Sequence, residues 1–229
     1  MLNPQAEAII ANGRARGWLT EPEAKRLLGC YEIPVPDFRV ARSSAEAATA
    51  AIELGYPLAA KVVSPQIVHK TEVEGVALEL CDEAAVKAVF ARFETLPAFE
   101  GMLIEPMVSG VELIIGAKND ELFGPVILLG IGGTGVELYG DTAIRMAPLR
   151  EKDIPAMVKR LKGRQVIEGF RGRPGVDMAS LTKLMRAFSQ LAMDLADDFE
   201  SIDLNPVMGN SEGCVVADAR VMLSELAPE

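Results

Sequence analysis

Two lysines and the chain's one histidine, Lys61, Lys70 and His69, fall within ten positions of each other in the stretch Leu58–Val76, LAAKVVSPQIVHKTEVEGV. The apolar run into Lys61 reads as a strand, Ser64-Pro65 breaks it, and the acidic and glycine residues after Lys70 read as a loop. Two ammonium groups and an imidazole so placed would neutralise a polyphosphate. The alternative is that the lysines are solvated and His69 is a surface or satisfied core histidine, and the stretch alone leaves both open. A second set lies near the end, in Ile202-Asp203-Leu204-Asn205-Pro206. Strand alternation puts Asp203 and Asn205 on one face, opposite Ile202 and Leu204. Cys214 to Ala217 reads as a neighbouring strand ending at Asp218. Two oxygen ligands on one strand and a carboxylate on the next can hold Mg²⁺, which prefers hard oxygens. The competing reading is a turn in which Asn205 caps before Pro206 and Asp218 starts a last helix.

Size and charge narrow the options. A chain of 229 residues, 49% of them hydrophobic, holds one large or two small domains with a real core. The net charge of -10 repels nucleic acid and anionic membrane, although a local cationic site for phosphate can survive it. Cys30, Cys81 and Cys214 have neither metal-site spacing nor a complete set of pairs, and read as small buried hydrophobes in a reducing compartment. No apolar run approaches the roughly 20 residues that span a bilayer, and the N-terminus lacks an apolar signal core. A cytoplasmic protein is expected.

The elements that must position these residues follow from caps and periodicity. A first helix is predicted over residues 4–16. Thr20 with Glu23 forms a capping box for a second, which carries Ala24, Leu27 and Leu28 inward. Prolines 34 and 36 force an extended segment, and Val35 to Ala41 reads as a short strand. Ser43 and Glu46 start a helix that Gly55 ends, Leu58–Val63 and Val76–Leu80 are strands, and Asp82 caps a helix facing inward with Val86, Phe90 and Phe93. Val111–Ala117 and Phe123–Leu129 form a hairpin. The change to strand-rich sequence near Met107–Gly110 divides the chain into residues 1–107 and 108–229, two halves expected to share a cleft. The run Gly130–Gly135 is not a dinucleotide fingerprint, since Val136–Gly140 looks extended where a helix is required; the glycines indicate close backbone approach to a ligand or to a neighbouring strand. Residues 151–161 read as a helix, Lys159–Arg173 as a solvated basic turn, and Leu181, Leu184, Met185, Phe188, Leu191 and Leu195 as the core face of a long helix.

Taken in order, LTEPEAKRLLGCYEIPVP, KVVSPQIVHKTEVEGV, GMLIEPMVSGVELIIG, NDELFGPVILLGIGG, VELYGDTAIRMAPL, IDLNPV and VVADARVML resemble the ATP-grasp (beta) subunit of the nucleoside-diphosphate-forming acyl-CoA synthetases, the acetate-CoA ligase (ADP-forming) type. The resemblance implies an α+β ATP-grasp fold with two α/β subdomains around a nucleotide cleft, using ATP/ADP and Mg²⁺. It implies that Lys61, with Lys70, contacts the nucleotide phosphates, and that the Glu105 to Val108 segment, including Met107, reads adenine largely through backbone groups. Glu112 matches a ribose-binding carboxylate. Asn205 and Asp218 match metal ligands with Asp203 in or just behind that shell, and Asp141 and Arg145 would lie near the transferred phosphoryl group. His69 resembles the histidine that exchanges a phosphoryl group with a histidine loop on a CoA-binding alpha subunit, in an α₂β₂ heterotetramer whose partner binds CoA and the carboxylic acid. The implied reaction is reversible formation of acyl-CoA, ADP and phosphate from a carboxylic acid, CoA and ATP. Glu74 stands where the family pattern has the first of two glycines, and Met107–Glu112 is one glycine short. A catalytically weakened nucleotide-binding subunit and a succinate-CoA ligase-like beta subunit are the alternatives.

Overall fold

The computed structural model describes residues 3–133, 140–172 and 174–224. In chain order the elements are α1 (Pro4–Arg14), β1 (Trp18–Leu19), α2 (Glu21–Gly29), β2 (Arg39–Ala41), α3 (Ser44–Leu54), β3 (Leu58–Val63), a 3₁₀ turn (Lys70–Val73), β4 (Val76–Leu80), α4 (Glu83–Phe93) and β5 (Gly101–Pro106). They continue with β6 (Val111–Asp120), β7 (Gly124–Ile131), β8 (Thr142–Met146), α5 (Asp153–Arg160), α6 (Gln165–Glu168), α7 (Met178–Asp194), β9 (Phe199–Gly209), β10 (Cys214–Val216) and β11 (Ala219–Leu223).

The chain forms two compact units, one of residues 36–108 and one that joins residues 1–35 to 109–229. The division falls at residue 108, and residues 1–35, with the leading helices, join the larger unit. The reason is strand pairing that sequence reading did not anticipate: β1 adds antiparallel to β11, with Trp18 opposite Met222 and Leu19 opposite Val221. α1 and α2 then bury Ile10, Ala24, Leu27 and Leu28 in the larger unit's core. The capping box of α2 is present, the Thr20 N–H donating to Glu23 Oε2 at 2.8 Å. One turn on, Lys25 and Glu21 form a buried pair, Nζ to Oε1 3.2 Å.

The smaller unit is a four-stranded antiparallel sheet in the order β2-β5-β3-β4, packed on α3 and α4. Ser43 and Asp82 cap these helices, accepting from the Glu46 N–H at 3.2 Å and the Ala85 N–H at 2.7 Å. Each such cap contributes about 1 kcal/mol. Glu46 bonds the Arg42 N–H instead of closing a box on Ser43. The larger unit is a seven-stranded sheet, β1-β11-β9-β6-β7-β8 with β10 on β9. On it α7 buries Leu181, Leu184, Met185, Phe188 and Leu191. Asp218 precedes β11, so the last described element is a strand, and Asp218 does not start a helix. Cys214 is buried, Cys30 half-buried and Cys81 exposed, all as free thiols. Burial therefore describes only part of the cysteine set. Among the described residues no helix is long and apolar enough to cross a membrane.

Candidate functional site

In the smaller unit the site is built on β3 and β5. Antiparallel register sets Ala59 opposite Glu105 and Lys61 opposite Leu103, so Lys61 and Glu105 meet diagonally on one face. Lys61 Nζ lies 2.9 Å from Glu105 Oε1, with side chains 6% and 2% exposed. A charged pair this deep is held by its own attraction against a desolvation cost of several kcal/mol per ion. Glu105 therefore offers more than backbone groups, because its carboxylate engages the lysine expected at the phosphates. At the end of β5 the Met107 N–H donates to Pro57 O at 3.1 Å, tying that segment to the start of β3, and Val108 is half-buried beside it.

The loop leaving β3 is ordered by its own short contacts. Ser64 Oγ donates to Pro97 O and accepts from the Gln66 N–H, which accounts for the Ser-Pro break, and Ile67 is buried beneath the loop. His69 then precedes the 3₁₀ turn, exposed, with Lys70 half-buried beside it. The Gly75 N–H closes the turn on Lys70 O at 2.7 Å, and the Val62 N–H donates to Gly75 O. Glu74 occupies the left-handed region at φ 52°, where a β-carbon is disfavoured. Its carboxylate points to Arg92, 3.9 Å away and solvent-exposed.

In the larger unit the oxygen groups gather as the alternation predicts. Ile202 and Leu204 are buried, while Asp203 and Asn205 lie on the other face of β9. The Asn205 N–H donates to Asp218 O at 3.1 Å, which places the two residues side by side on neighbouring chains. Asp203 pairs across the strands with Arg220, Nη2 to Oδ2 3.3 Å. Burial raises the Asp203 carboxyl above its usual range while Arg220 opposes the rise. Arg220 escaped the sequence reading, although its spacing of two from Asp218 on a strand was the signal for it. Among the described residues no three His, Cys, Asp or Glu side chains are grouped to hold a metal. The donor set here is two carboxylates and an amide, of which Asp203 is already engaged by a guanidinium. Asn205 and Asp218, both hard-oxygen donors, fit an ion that completes its shell with water and phosphate.

Glu112 starts β6 facing the glycine run. The Gly132 N–H donates to Glu112 O at 2.6 Å, and a β-carbon on Gly132 would stand 2.9 Å from the Glu112 Cβ. This glycine is required by a neighbouring strand. The expected extended segment 136–140 lies outside the described residues except for Gly140.

Arg145 and Asp141 are held by the larger unit's own elements. Cross-strand register runs Ile202, Ala117, Ile127, Arg145 in one row, and Asp203, Gly116, Leu128, Ile144 in the next. The first three members of the first row are buried under the helices. Arg145 therefore projects from the helix-covered face, opposite Asp203 and Asn205. Its charge helps hold Asp153 on α5 below the usual carboxylate range, after larger contributions from Arg150. Asp141 accepts the Lys162 and Gly163 N–H groups, each at 2.8 Å, so both of its oxygens fasten the loop after α5. The residue brought to the oxygen face of β8 is Ile144, 54% exposed, with Leu128 beside it.

A buried lysine-carboxylate pair under a histidine loop, and a sheet face carrying hard oxygens beside apolar side chains, define a nucleotide-handling protein of the ATP-grasp class. The ATP-grasp domain model matches residues 10–223. The chain is 33% identical over 228 residues to the beta subunit of acetate-CoA ligase (ADP-forming) I of Pyrococcus furiosus, covering 96% of this chain and 98% of that one. It is 36% identical to acetate-CoA ligase (ADP-forming) I of Archaeoglobus fulgidus over 96% of this chain but 32% of that longer one. Among solved structures it resembles acetyl-coenzyme A synthetase 1 of Ca. Korarchaeum cryptofilum with coenzyme A and Mg-AMPPCP, its phosphohistidine segment pointing towards the nucleotide binding site. The TM-score is 0.83 at 35% identity, covering 96% of this chain and all of that one. The chain belongs to the ATP-grasp family of ADP-forming acyl-CoA synthetase beta subunits.

Proposed function

We propose that this chain is the ATP-binding subunit of an ADP-forming acyl-CoA synthetase and that His69 carries the phosphoryl group. The observation that carries the reading is His69 itself, an exposed imidazole beside the strand that holds Lys61, in a chain matching such beta subunits from end to end. A neutral imidazole is a competent nucleophile. An unprotonated ring nitrogen attacks the γ-phosphorus of ATP, the bond to the bridging oxygen breaks, and ADP leaves as phosphohistidine forms. The group then passes to a histidine of a CoA-binding alpha subunit and from it to a carboxylate, giving an acyl phosphate; the CoA thiol attacks its carbonyl carbon, the C–O bond to phosphate breaks, and phosphate leaves. Run backwards, the sequence makes ATP.

Phosphoryl transfer asks the protein mainly to position donor and acceptor and to offset charge on the oxygens. Lys61, with Lys70 on the loop, would do this at the phosphates. Glu105 through Val108 would receive the base, and Glu112 the ribose. Asn205 and Asp218 would hold Mg²⁺, with Asp203 behind them held by Arg220; the ion supplies charge neutralisation at the phosphate oxygens. Leu128 and Ile144 give the same sheet face an apolar area suited to a flat ring. Asp141 acts here through the loop it fastens, and Arg145 through the packing of α5. An alpha partner is supported by the beta-subunit relatives and by the longer relative, which carries further polypeptide in the same chain; an α₂β₂ assembly is the proposed form.

The test is transfer of label from [γ-³²P]ATP to the purified chain, then to the alpha subunit. Acid-labile, base-stable label is expected on wild type and absent from His69→Ala, which keeps Mg-ATP affinity within a few-fold. Equal labelling of the variant would overturn the assignment.

A further inference from the structure

We propose that a groove on the larger unit, between the start of β6, the loop after α6 and the end of β9, docks an acidic segment carrying an apolar side chain from the CoA-binding partner. The proposal rests on the functional reading above for the existence of that partner. The groove encloses about 750 Å³ and is lined by Val111, Val166, Phe170, Arg171, Pro174 and the backbone around Asn210. Among the described residues its lining contains one cation and no carboxylate. Val166 and Phe170 are 46% and 48% exposed, so the groove presents apolar side chains to an occupant.

The rim is built and not loose. Asn210 Nδ2 donates to Ser109 O at 3.1 Å, while its Oδ1 accepts the Glu212 and Gly213 N–H groups. The Val176 N–H donates to Ile167 O at 2.8 Å, closing the loop that presents Phe170. The Arg171 guanidinium stacks 5.1 Å over the Phe170 ring, and among the described residues it has no carboxylate partner. An aromatic ring braced by a guanidinium beside an apolar pocket is the composition of an interface anchor.

Charge selects the occupant. Lys159, Arg160, Lys162, Arg164 and Arg171 face a single acid, Glu168, in residues 159–172, within a chain of net charge -10. Glu168 is taken by Arg164, 3.8 Å away. A second copy of this chain brings the same net negative charge and is repelled as a whole. A partner segment with acidic residues flanking one apolar side chain meets both features: a carboxylate reaches Arg171, and its side chain enters against Val111, Val166 and Phe170.

The experiment measures association of the purified chain with the co-expressed CoA-binding subunit by isothermal titration, at about 50 and 300 mM NaCl. Phe170→Ala and Arg171→Glu should each weaken association about tenfold or more. Lys183→Glu, the same charge change on α7, should stay within about twofold of wild type. Affinity should fall at the higher salt for wild type and lose much of that dependence in Arg171→Glu. Mg-ATP binding and far-UV circular dichroism verify that the variants are folded. Wild-type affinity in both groove variants, or equal weakening by Lys183→Glu, overturns the docking surface while leaving the enzyme reading intact. Groove variants that abolish self-association instead overturn it in favour of a second copy. Failure of the wild-type chain to bind the subunit at all overturns the functional reading, and the docking proposal with it.

Discussion

Replacing Lys61 with methionine leaves the Glu105 carboxylate buried beside an apolar chain where an ammonium stood 2.9 Å away. Methionine roughly keeps the volume, so the change removes charge more than packing. With both side chains almost wholly out of water, the buried carboxylate loses the ammonium's compensating charge. Breaking such a pair from one side costs about 3–5 kcal/mol. Glu105→Leu strands the ammonium instead and should cost a similar amount. The double variant strands neither, and should recover to within about 2 kcal/mol of wild type, a coupling of several kcal/mol between the sites. Urea unfolding followed by far-UV circular dichroism measures this. The chain's one tryptophan, Trp18, sits in the other unit, so its fluorescence is a poor reporter for β3 and β5. Single variants that each cost less than about 1 kcal/mol, or a double variant as unstable as their sum, would refute the claim that the two side chains sustain one another.

Other residues separate structural from catalytic roles. Asp141→Ala removes the acceptor of two backbone N–H groups and should destabilise the chain by about 2–4 kcal/mol, seen as a lower urea midpoint, with Mg-ATP affinity of the folded protein retained. Glu74→Gly relieves a left-handed residue at φ 52°. Its exposed pairing with Arg92 is worth little, so a gain of up to about 1 kcal/mol in thermal unfolding is expected. Asn205→Ala combined with Asp218→Ala should weaken Mn²⁺ binding in the presence of a nucleotide analogue at least about tenfold, read by electron paramagnetic resonance, without altering metal-free unfolding by more than about 1 kcal/mol.

What could be read from the sequence was what short-range rules determine. The strands Leu58–Val63 and Val76–Leu80 were legible because each is bounded by proline, glycine or a cap within a few residues. The common face of Asp203 and Asn205 was legible because a strand's side chains alternate with period two. Neither rule says which face of a finished sheet a distant strand shares. Arg145 sits two residues from Ala143, and its local pattern fits a phosphate-facing arginine as well as a core-facing one. Only the register linking Ile202 to Ala117, Ala117 to Ile127 and Ile127 to Arg145 decides, and it passes through three pairings across four strands. The pairing of Trp18 with Met222 is nonlocal in the same way and moves the first 35 residues into the other unit. Lys61 and Glu105 also meet through register. Glu74 shows the reverse case: its oddity was visible as a missing glycine, and the backbone supplies the physical reason, since a glycine there would take φ 52° without the cost of a β-carbon. The departure thus acts first on the stability of the turn after His69, the residue proposed to carry the phosphoryl group.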